Sequence, residues 1–87
     1  MKIKDGFVVR NVGEKILVVP VGDRTASFNG MLVLNDMAKF FWDNLQNDIE
    51  IDELVNIVCQ NYDVSFDVAK NDILEFTDKL QKAGILE

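Results

Sequence analysis

The feature that most constrains this chain is a single change of hydrophobic period, at Asn35. Before it, apolar residues come in short blocks rich in β-branched and aromatic side chains. After it, they recur three and four residues apart. A chain that switches once in this way keeps its strands and helices in separate blocks, which is an α+β layout. Phe7-Val8-Val9-Arg10-Asn11-Val12 is the first block, Gly13-Glu14 punctuate it, and Ile16-Leu17-Val18-Val19 run on to Pro20. Two such runs with so short a connection predict an antiparallel hairpin, with strands about 7–12 and 15–20. Pro20 has no N–H for a ladder, so the second strand ends or is interrupted there. Gly22 to Ser27 read as a loop with a charged tip, including Arg24. A third short strand, about 30–34, ends in Met31-Leu32-Val33-Leu34.

The helical half has clear boundaries. Asn35 is a suitable N-cap, and Met37, Ala38, Phe41, Trp42 and Leu45 predict a first helix over about 36–46. Ile51, Leu54, Val55, Val58 and Tyr62 predict a second over about 51–61, with Asp52 and Glu53 in its first turn. Ser65 can cap a third, about 66–83, whose buried stripe is Ala69, Ile73, Phe76, Leu80 and Ala83. Gly84 is placed to end it in the left-handed conformation, with Ile85 supplying the apolar contact that follows such a cap. Three strands of an antiparallel sheet followed by three helices match a winged helix-turn-helix with its strands first. At 87 residues the whole chain, 1–87, makes one small domain. Trp42 reads as core, and Cys59 as a small buried or half-buried thiol.

The residue inventory weighs against catalysis. There is no histidine and one cysteine, which removes the commonest general base and any thiolate cage. The five glycines form no dinucleotide or phosphate loop. No cofactor and no metal is therefore expected. No apolar run reaches the ~18 residues of a membrane span, and no signal-peptide core follows the charged opening. The expected compartment is the cytoplasm, with no membrane contact. A helix-turn-helix invites a DNA-binding reading, and the charges oppose it. Ten carboxylates stand between Asp43 and Asp78 against one base, Lys70, within a chain of net charge −6. Phosphate contacts need clustered Lys and Arg, so no nucleic acid is expected as a partner.

The run Phe28-Asn29-Gly30-Met31-Leu32-Val33-Leu34-Asn35, then Phe41-Trp42-Asp43-Asn44-Leu45, Asp52-Glu53-Leu54-Val55, Asn61-Tyr62-Asp63-Val64, Asp72-Ile73 and the terminal Gly84-Ile85-Leu86 together resemble the PqqD-like family. Val19-Pro20-Val21-Gly22 fits the branch found beside radical-SAM peptide maturases. The likeness runs from Phe7 to Leu86. Glu50 departs from it, standing where the family often has Thr or Ser as the second helix's N-cap. The resemblance implies a RiPP recognition element: a non-catalytic module that holds the leader of a ribosomally made precursor peptide and presents it to a modifying enzyme, a radical-SAM maturase or another. It also implies that the leader adds as a strand at Met31, Leu32, Val33 and Leu34, in a groove against the third helix.

The third helix offers its own hint. With Ala69 at zero and 100° per residue, Phe66, Lys70, Leu74, Thr77 and Gln81 fall between about 60° and 140°, on one flank of the buried stripe. Phe66 and Leu74 widen that stripe, which suggests a groove wall built with Lys70 and Thr77. In so small a domain Phe66 serves equally well as core, and Leu74 is the better candidate. A reading from another class is an acidic winged-helix protein acting in transcription through protein contacts. A catalyst with paired carboxylates is the third. An exposed edge strand also leaves open a monomer or a weak homodimer.

Overall fold

Alternation and turn chemistry produce the hairpin where the pattern puts it. β1 (Phe7–Val12) pairs antiparallel with β2 (Lys15–Pro20), with Val12 opposite Lys15 and Phe7 opposite Pro20. The computed structural model describes residues 1–27 and 32–87. A third strand, β3 (Leu32–Leu34), adds to the other side of β2, so that Leu32 faces Val18, Val33 faces Leu17 and Leu34 faces Ile16. The sheet order is β1-β2-β3. The expected strand start at residues 30 and 31 lies outside the described residues.

A four-residue helix, α1 (Arg24–Ser27), stands between β2 and β3, where the sequence reads as a plain loop. Turn residues close it: the Thr25 amide and hydroxyl both donate to the Gly22 carbonyl, at 3.2 and 2.7 Å. Arg24 is not a solvated loop charge. Its Nε donates to the Asp5 carbonyl at 3.1 Å, and its guanidinium lies 5.7 Å from the Phe7 ring centroid.

Three longer helices follow: α2 (Asp36–Asn44), α3 (Ile51–Asn61) and α4 (Phe66–Lys82). Asn35 caps α2 by accepting from the Ala38 amide at 2.8 Å, and Ser65 caps α4 by accepting from Val68 at 3.2 Å. Glu50 makes no side-chain cap on α3, as its departure from the family pattern foreshadows. α2 stops two residues short of the expected 46, because Asn44 turns its amide onto the Phe40 carbonyl and the Leu45 N–H is shared between Phe41 and Trp42. At the end of α4, Ile85 donates to the Leu80 carbonyl and Gly84, at φ +74°, to that of Gln81. These two bonds form a Schellman cap, which leaves Ala83 as the capping residue and exposed rather than in the buried stripe.

The core lies between one sheet face and the helices. Val18 and Leu34 from the sheet, Phe41 and Trp42 from α2, Leu54 and Val58 from α3, and Ile73 and Leu80 from α4 are all buried. The charged opening also contributes. Ile3 is buried, bridges to Leu86 and donates to the Leu45 carbonyl, so the two chain ends lie side by side. The Met1 ammonium donates to Asp48 at 2.8 Å, which raises the amine's pKa and lowers the carboxyl's. Among the described residues no helix is long and apolar enough to cross a membrane.

Candidate peptide-binding site

β3 is bonded on one side only among the described residues. Which of its backbone groups face the open side follows from a single hydrogen bond. Val21 donates to the Gly6 carbonyl at 2.8 Å, continuing the β1–β2 register by one step. Backbone groups along an antiparallel strand alternate sides. Odd-numbered residues of β2 therefore donate toward β1, and Ile16 and Val18 toward β3. Their partners, Leu34 and Leu32, turn inward to meet them. Val33, opposite Leu17, turns its N–H and C=O to the open edge. Its side chain is also outward, 53% exposed on the sheet face away from the helices.

Beside that edge runs a cleft of about 290 Å³, bounded by Leu32 and Val33 of β3, Asn35, Met37, Ala38 and Phe41 at the start of α2, and Asp72, Glu75, Phe76 and Lys79 of α4. Its floor is apolar. Phe41 and Phe76 meet there as tilted rings 5.7 Å apart, and Met37 and Ala38 are only half-buried. Its outer wall is charged: Asp72, Glu75 and Lys79 follow one another along α4. None of these three takes part in an ion pair among the described residues.

The sequence matches the family model for coenzyme PQQ synthesis protein D over residues 14–86. The chain belongs to the PqqD family. Among solved structures, TbiB1 in complex with the TbiA(beta) leader peptide superposes with a TM-score of 0.78 at 21% identity, covering 100% of this chain and 95% of that one. Lasso peptide synthetase B1 complexed with the leader peptide gives 0.74 at 17% identity, over 97% and 93%. No curated protein matches the chain. At these identities the likeness establishes the fold this family member shares, three antiparallel strands followed by helices.

The structure divides the sequence-derived site residues into two groups. Leu32 and Val33 border the cleft, Leu34 is buried beside it, and Met31 lies outside the described residues. Phe66, Lys70, Leu74 and Thr77 are not brought to it. Lys70 reaches Asp52 of α3 at 3.2 Å and lies 5.9 Å from the Phe66 ring, while Leu74 and Thr77 border a separate depression with Met1, Gln81 and Leu86. Thr77 is buried, and its hydroxyl donates to the Leu74 carbonyl at 3.2 Å. These four residues therefore do not line the cleft beside β3, to which α4 turns its opposite flank. Sequence reasoning missed Asp72, Glu75 and Lys79, which look like ordinary solvated helix charges. Met37 and Ala38 carried a usable signal, because they extend the α2 stripe beyond what the core covers.

Proposed function

We propose that this chain binds the leader segment of a ribosomally synthesised precursor peptide by strand addition to β3 and presents it to a separate modifying enzyme, a radical-SAM maturase being the class its family branch suggests. The observation that carries the reading is the Val33 backbone, which offers one donor and one acceptor at an open sheet edge directly beside an apolar cleft. An extended peptide gains main-chain hydrogen bonds there whatever its sequence, and alternate side chains entering the cleft supply specificity. The leader peptides bound by the two similar structures support the same reading. The role is one of holding and positioning, with the chemistry left to the partner enzyme.

Amide hydrogen exchange tests this with synthetic leader peptides of ribosomally made precursors as probes, using one that titrates onto the chain. Leu32 and Leu34 already donate within the sheet, so the leader should slow exchange chiefly at Val33. Binding without added protection at Val33 would overturn strand addition.

A further inference from the structure

Strand addition at Val33 fixes where neighbouring leader side chains go. The leader residue hydrogen-bonded to Val33 lies directly across from it, and residues directly across a pair share a sheet face. Val33 points away from the helices. The leader residue opposite it must do the same, and the residues on either side of it must point toward the helices, into the cleft. Two leader positions, one residue apart, are therefore read by the cleft at once.

The cleft offers those positions two different environments. One is the floor of Phe41, Phe76, Met37 and Ala38, which suits an aliphatic or aromatic side chain. The other is the Asp72–Glu75 stretch of the α4 wall, where neither carboxylate has an ion-pair partner among the described residues. Lys79 lies seven residues beyond Asp72, about 10 Å along the helix at 1.5 Å per residue, and one turn, about 6 Å, beyond Glu75, so Asp72 is the carboxylate farther from it. Resting on the strand-addition reading above, we infer that the cleft selects leaders carrying an apolar residue and a Lys or Arg separated by one residue, the basic side chain pairing with Asp72 and Glu75. The intervening residue faces outward beside Val33.

Charge at this position acts on discrimination more than on fold. A basic side chain gains two carboxylates at close range, and an acidic one meets repulsion from both.

The test is a selection of random, mRNA-displayed dodecapeptides on the 87-residue chain, run in parallel on the double variant Asp72→Asn/Glu75→Gln and on Asp78→Asn, an exposed α4 carboxylate outside the cleft that pairs with Lys82. Recovered peptides on the parent chain and on Asp78→Asn should be enriched about tenfold or more in the apolar-x-basic pattern, and the isosteric double variant should lose that enrichment. Circular dichroism melts of the variants guard against a folding artefact, and direct titration of one recovered peptide against its basic-to-Glu counterpart on the parent chain gives the same answer without any variant. Peptides recovered without the pattern, or a pattern unchanged on the double variant, would overturn the inference while leaving strand addition standing, provided that those peptides slow exchange at the Val33 amide. Peptides that carry the pattern yet leave Val33 exchange unchanged would overturn both readings. Recovery of no peptide at all would do the same.

Discussion

The two flanks of α4 differ in character and have opposite fates. One presents Asp72, Glu75, Phe76 and Lys79 to β3 and forms the wall of the cleft. The other presents Phe66, Lys70 and Leu74 away from the strand, with Phe66 and Leu74 43% and 44% exposed. The flank that looks like a binding surface in sequence is the apolar one, and the flank that borders the open strand is the charged one. The contrast has a physical basis. A peptide that adds as a strand takes its affinity from backbone hydrogen bonds and from a small apolar floor, so the wall beside it is free to be polar and to discriminate.

Breaking the floor separates the flanks most strongly. Phe76 closes the core beneath the cleft and touches the Phe41 ring. Phe76→Ala should cost about 3–5 kcal/mol, the range for emptying a buried aromatic site. Urea unfolding measures it, and a loss below 1 kcal/mol would show that Phe76 belongs to the cleft alone and not to the core.

A second break uses the strand's parity. Leu32→Pro removes a donor bonded to Val18 inside the sheet, leaving its acceptor unpaired, and should cost about 1–3 kcal/mol. Val33→Pro removes only the outward donor. It should keep a cooperative melt and weaken leader binding by about tenfold or more, or 1.4 kcal/mol. Melting and titration of both variants decide the matter. If Val33→Pro unfolds the chain while Leu32→Pro stays folded, the assigned phase is inverted.

How much of this was legible in the sequence differs from residue to residue. Asn35, Ser65 and Gly84 announced their caps, and each makes the bonds its type and position imply. The buried stripe of α4 was legible because burial follows the helical period. Which flank faces β3 was not, because a helical wheel gives angles about the helix's own axis and nothing about how that axis is rolled against the sheet. Leu74 and Asp72 lie on opposite sides of the same stripe, and only tertiary packing distinguishes them. Val33 was similarly undecided. An alternation rule needs one fixed point, and the Val21–Gly6 hydrogen bond that supplies it joins residues 15 positions apart in sequence. Ile3 was hidden for a related reason: a lone apolar residue among Lys2, Lys4 and Asp5 has no period, and its burial depends on Leu86 at the far end of the chain.

The smallest expected effect sharpens the comparison most. Leu74 is 44% exposed on the flank away from β3, and its neighbours are the chain-end residues Met1 and Leu86. Leu74→Glu therefore removes little buried surface and adds a charge where water can reach it. Surface substitutions of this kind fall within about ±0.5 kcal/mol, so the melt should hardly move. Leader affinity should change by less than about twofold, since an added charge facing away from the cleft is weakened by screening over the ~8–10 Å Debye length of ordinary buffers. Glu75→Lys, one residue on and on the cleft wall, should leave the melt equally unmoved and yet reverse which peptides are preferred. Titration of both variants with the same leader reads this directly. A large loss of affinity in Leu74→Glu with no change for Glu75→Lys would return the binding surface to the apolar flank and separate it from the open edge of β3.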